Sequence, residues 1–318
     1  MDFYTWQTYR CAYDTVQGQR SDKSVSSATP ALLLIHPVGV GLSRQFWQPF
    51  IRRWVASTSQ NSAIYNLDLL GCGNSDMPTK AYTPQDWANQ IAYFIEQIAE
   101  VPVVLIVQGA LLPVAVELMS TPAAQQVKGM VLSGPPTWPL MTTPTPDWKH
   151  QLAWSLFSSP LGNAFYRYAR REDFLRSFSK RQLFERPEDV SEQWLTMLHT
   201  GSRNMDSRYA VFSFLAGFWR QDYAAAIARI QQPVMVVMGE SASTIDRKAA
   251  KQSSQATGGS ERLQKTTASK KRLQDYLDHF PRAQGAIISG RNVLPYESVE
   301  DFVVAIAPFI SQLSTQTQ

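Results

Sequence analysis

Short unbroken apolar runs alternate with helix-period stretches along this chain. The runs ALLLIH, AIYNLDLLG, PVVLIV, VKGMVLSG, PVMVVMG and AQGAIISG are rich in β-branched residues and lack a polar face, the pattern of strands buried on both sides. Between them lie stretches with apolar residues at helical spacing. FWQPFIRRWV is one, TPQDWANQIAYFIEQIAE another, and a third helix is predicted from about Ala110. Thr83 suits the N-cap of the second and Pro84 its first turn. Ahead of the first run, WQTYRCAYDTV alternates like a half-buried strand, and QRSDKSVSSATP reads as a polar connection. The repeated strand–helix order predicts an α/β protein with a mostly parallel central sheet flanked by helices.

The strand signal disappears between about Pro135 and Ile230, where helical patterns such as AFYRYARREDFLRSFSKRQLF take over. The expected organisation is a sheet core made of residues 1–136 and 231–318, with residues 137–230 as an inserted helical lid. Residues 243–270 carry almost no large apolar side chains and are expected to be poorly ordered.

Composition narrows the classes of function. A chain of 318 residues with 44% hydrophobic content has enough apolar material for a large core. Its net charge of +4 is too mild and too dispersed to argue for nucleic-acid binding. Cys11 and Cys72 form neither a C-x-x-C pair nor a metal-ligand pattern, so neither a metal nor another cofactor is expected, and a reducing compartment fits. No signal-peptide pattern opens the chain and no apolar run reaches membrane-span length, so the expected location is cytoplasmic. Arg167, Arg170, Arg171, Arg176, Lys180 and Arg181 recur at spacings compatible with one helical face. The first three are candidates for peripheral membrane contact.

The sharp strand-to-helix transition VVLIVQGALLPVAVELM is where many α/β enzymes carry a nucleophile. From Val101 to Met119 there is no Ser, Thr, Cys, Asp or His.

Four strings in order, LLLIHPVGVGLSRQFW, LDLLGCGNSDMP, PVMVVMGES and GRNVLPYESVEDF, resemble the α/β-hydrolase fold in its lidded branch of epoxide hydrolases, haloalkane dehalogenases and esterases. The resemblance covers most of the chain and implies a nucleophile, an acid and a base, in that chain order. The positions it assigns are Gly109 for the nucleophile, Ala242 for the acid and Val293 for the base. None of these side chains attacks, accepts or relays a proton. The same resemblance makes the amides of Val38 and Ala110 oxyanion-type donors. Val107 and Leu111 stand where the family has small residues, so either the turn has widened or their side chains fill the space above it.

The expected function is therefore a catalytically inactive α/β-hydrolase homologue, a pseudo-hydrolase binding an apolar small molecule or a protein partner. His36, Gln108, Ser133 and Trp138 are candidate pocket residues. The alternative is a hydrolase or esterase with a non-standard set, such as His36 with Cys72 or Ser133, and Asp246 as a displaced acid.

Overall fold

Eight strands form one sheet in the order β1-β2-β4-β3-β5-β6-β7-β8. The computed structural model describes residues 1–16, 29–57, 62–242 and 261–315. The apolar runs become β3 (Ala31–Ile35), β4 (Ile64–Leu67), β5 (Val103–Gln108), β6 (Val127–Ser133), β7 (Val234–Gly239) and β8 (Ala283–Ile288), all parallel to one another. β3 and β5 are buried at every residue because helices cover both faces.

The alternating N-terminal stretch supplies one half-buried strand as expected, and a second strand that precedes it makes the pair a hairpin. Gln7, at φ 56°, turns the chain between β1 (Asp2–Trp6) and β2 (Tyr9–Val16), and β2 pairs antiparallel with β4. Alternation carries no record of a reversal when the turn residues are themselves polar, as Gln7 and Thr8 are.

Thr83 and Pro84 open the helix Pro84–Phe94 as expected. Thr83 Oγ1 accepts the Asp86 amide, and the Asp86 carboxylate accepts the Thr83 amide, a reciprocal cap. Between β6 and β7 the described residues form helices and no strand, including Trp138–Thr142, Asp147–Phe157, Pro160–Ala169, Glu172–Phe178, Glu192–Gly201 and Arg208–Ala216. The cationic string does not share one helical face. Arg167 lies in Pro160–Ala169, Arg170 and Arg171 lie in the turn beyond it, and Arg176 on the next helix is held by Glu172 and Glu192.

Residues 243–260, with Asp246 among them, lie outside the described residues. The expectation of poor order fails for 261–270, which open the helix Glu261–His279. Tertiary packing overrides the polar composition there: Ser269 and Tyr276 are buried, and Ser269 Oγ donates to the Glu240 carbonyl. Among the described residues no helix is long and apolar enough to cross a membrane.

Candidate functional site

Gly109, Ala242 and Val293 all follow the carboxyl ends of parallel strands, where ligands bind in open α/β sheets. Gly109 directly follows β5, Ala242 lies three residues past the end of β7 and Val293 five past β8. The loops that carry them are tied together. Gln108 Nε2 donates to the Asn292 carbonyl at 2.6 Å, and the Ser241 amide donates to the Gly290 carbonyl at 3.0 Å. Each of the three positions is thus the immediate sequence neighbour of a residue in these ties.

Two glutamates complete the arrangement. Glu297 accepts the amides of Glu185 (2.9 Å), Arg291 (2.7 Å) and Val293 (3.2 Å). Glu185 accepts the Gly290 amide and the Ser241 hydroxyl at 2.8 and 2.6 Å. Burial pushes the Glu297 carboxyl above its usual range against the pull of those amides, and the nearby Glu185 charge adds to the rise. Sequence reasoning missed both glutamates; the Pro-x-Glu at 295–297 was the available signal, and Glu185 had none.

The turn at Gly109 keeps a left-handed backbone, φ 62°, between β5 and a short 3-10 turn leading into the helix Leu112–Leu118. A Cβ built on Gly109 has no atom within 4 Å. Val107 and Leu111 are buried in the core and do not fill that space. Register places Ile35 opposite Val107, so Val38 and Ala110 each stand three residues past a paired position on adjacent strands.

His36 is not a pocket residue. It is fully buried, its Nδ1 faces the Pro37 carbonyl at 2.8 Å, and its Nε2 accepts the Leu69 amide at 3.1 Å. A backbone N–H only donates, so Nε2 is unprotonated and both nitrogens are committed. Burial holds the imidazole below its ordinary value of 6.5, outweighing the Asp68 charge. The unfolded chain therefore binds this proton more tightly. The stabilisation is complete above pH 6.5 and is lost as pH falls from there through the folded-state value. Denaturant unfolding followed from about pH 7 to about pH 5 is expected to show that loss, with a flatter profile in His36→Gln.

Cys72 does not pair with His36 as a nucleophile. It is buried, and burial first, then the Asp68 carboxylate, drives its thiol far above the ordinary range, the opposite of what thiolate chemistry needs. Ser133 is fully buried at the end of β6 beside Gln108. Its Oγ and Gln108 Oε1 have no hydrogen-bond partner among the described residues. Trp138 sits apart, stacked on His279 at 3.9 Å and edge-on to Tyr276. Among the described residues no cluster of three or more His, Cys, Asp or Glu side chains is placed to hold a metal. A hollow of about 520 Å³ lined by Met119, Ala226 and Ile230 adjoins Gln231 and Gln232, ahead of the amino end of β7, away from this site.

The family pattern covers the whole of this framework: the sequence model of the alpha/beta hydrolase family matches residues 32–306. The chain belongs to the alpha/beta hydrolase family. No curated protein matches it by sequence. Among solved structures, this alpha/beta hydrolase is similar to an enol-lactonase from Burkholderia xenovorans, with TM-score 0.68, 13% identity and 98% and 100% of the two chains covered. It is also similar to a thermophilic esterase from Thermogutta terrifontis, with TM-score 0.66, 14% identity and coverage of 96% and 94%. A bromoperoxidase from Bacillus anthracis gives 0.65, 16%, and 95% and 96%. At these identities the likeness is one of fold.

Proposed function

We propose that this alpha/beta hydrolase is catalytically silent and that its strand-end site binds an uncharged, largely apolar small molecule beneath a lid formed by residues 137–230. The observation that carries the reading is the turn at Gly109: its backbone has the left-handed geometry in which the family presents a nucleophile, the space above it is open, and no side chain is there. Ala242 and Val293 offer neither an acid nor a base in the loops beside it. Gln108 Oε1 and Ser133 Oγ, buried without partners, supply polar contacts that fix a ligand's orientation in an otherwise apolar setting. His36 spends both nitrogens on the backbone, which leaves Ser133 without a base there.

Gly109→Ser is the direct test. A side chain at φ 62° costs about 1–3 kcal/mol of backbone strain, with no added clash because the space is open. The variant is expected to lose that much stability by denaturant unfolding, and neither it nor the parent is expected to hydrolyse short-chain aryl esters. Ester turnover by the parent chain that disappears in Ser133→Ala would instead favour a hydrolase with a non-standard set. Native mass spectrometry of the purified chain is expected to find a co-purifying apolar compound.

A further inference from the structure

Six of the ten large apolar side chains that stand exposed among the described residues fall within one 21-residue stretch. They are Trp148, Leu152, Leu156, Leu161, Phe165 and Tyr168, with exposures from 42% to 69%. Trp148, Leu152 and Leu156 recur every four residues on the helix Asp147–Phe157. Leu161, Phe165 and Tyr168 recur at i, i+4, i+7 on the helix Pro160–Ala169, so each set forms one outward stripe. The first helix buries only His150, at 6% exposure.

The charge within this stretch is mostly positive. Residues 147–171 contain Lys149, Arg167, Arg170 and Arg171 against a single carboxylate, Asp147. Among the described residues the three arginines form no ion pair, whereas Arg176 on the next helix is neutralised by Glu172 and Glu192. Beside the second stripe, Arg167, Arg170 and Arg171 line a hollow of about 410 Å³ with His199 and Met205. Protonated guanidinium forks around a concavity of that size suit a phosphate group.

We propose that this face docks on the surface of an anionic lipid bilayer, with the Leu and aromatic side chains entering the acyl boundary and Arg167, Arg170 and Arg171 holding lipid phosphates. Long apolar and aromatic side chains beside a cationic rim are what an interfacial helix presents to such a surface. A second copy of the chain is a poorer occupant, because two-fold pairing through this face sets cation against cation. The proposal goes beyond the ligand-binding reading and stands whether or not the strand-end site is silent.

Sedimentation of the full chain with vesicles tests it. Vesicles with about one third phosphatidylglycerol in phosphatidylcholine are expected to bind the protein, pure phosphatidylcholine far less, and high salt to release it. Replacing all three arginines, Arg167→Gln with Arg170→Gln and Arg171→Gln, is expected to weaken binding roughly 100-fold. Leu152→Ser with Leu156→Ser and Leu161→Ser is expected to abolish it. Brominated lipids are expected to quench tryptophan emission in the parent and not in Trp148→Phe, a readout that does not depend on the multiple variants folding. Four results would overturn the proposal: absence of binding to the anionic vesicles, equal binding to both vesicles, release by soluble glycerol phosphate at matched ionic strength, or a parent dimer that the leucine variant splits. Loss of vesicle binding together with capture of an acidic protein by the same arginines would reassign the face to that partner.

Discussion

Asp68→Ala is expected to cost about 3–5 kcal/mol of folding stability, because it strands a buried guanidinium. Asp68 is fully buried and Arg44 is 3% exposed. The carboxylate accepts the Arg44 guanidinium on one oxygen, the Arg44 amide on the other at 2.8 Å, and the Asn74 amide at 2.8 Å. Arg44 then keeps a neutral hydrogen bond to Asn74 Oδ1 at 3.1 Å and, as its one remaining carboxylate among the described residues, the partly solvated Asp14 at 2.8 Å. Asp14→Ala is therefore expected to cost far less, about 1 kcal/mol. A double change, Arg44→Met with Asp68→Leu, is expected to be milder than Asp68→Ala, since no charge is left without a partner. Urea unfolding of the three variants checks the order, and equal costs for Asp68→Ala and Asp14→Ala would show that the buried pair does not hold this loop.

Glu297→Ala is expected to cost about 3 kcal/mol or more, by leaving three backbone N–H groups without an acceptor. Those amides come from two segments far apart in sequence, Glu185 in the helical excursion and Arg291 and Val293 after β8. Stability is expected to fall, and hydrogen exchange to rise at Gly290 to Val293 before it does in β5. Glu297→Gln should recover part of the loss. It keeps one acceptor oxygen, but its amide nitrogen then meets an N–H it cannot accept. An alanine variant within 0.5 kcal/mol of the parent, the usual scale for surface changes, would mean that water replaces the carboxylate.

The sheet was legible because buried parallel strands write short apolar runs, as β3 to β7 do; β8 has such a run too, although at the sheet edge none of its residues is buried. The N-terminal hairpin was not, because a tight polar turn leaves the alternation intact. The helix Glu261–His279 was not either: its opening is polar, and what secures it is Tyr276 and Ser269 meeting the rest of the fold. At the strand ends, Gly109, Ala242 and Val293 follow β5, β7 and β8 in the order the sequence implies. Periodicity has no access to a tie between residues 185 and 297, or to the hydrogen bonds that commit His36 to the backbone. The glycines of GCGNSD show the middle case. The motif was visible, but its reason was not: a Cβ on Gly73, at φ 58°, would sit 2.2 Å from the Asp68 carboxylate.

The helical excursion leaves after β6 and comes back to β7, two strands that lie side by side with Met130 opposite Val234. Its departure point is already anchored, since the Gly134 amide donates to the Val237 carbonyl at 2.8 Å. A segment whose two roots are fixed to each other transmits little of its own length to the platform below. Insertions are then cheap in the exposed turn between the helices Asp147–Phe157 and Pro160–Ala169, because closure entropy grows only logarithmically with the number of residues, but not at Glu185, Phe184 or Trp194, which are bonded to or buried against the platform. That exposed turn is the place where the fold tolerates a change of length without disturbing the sheet.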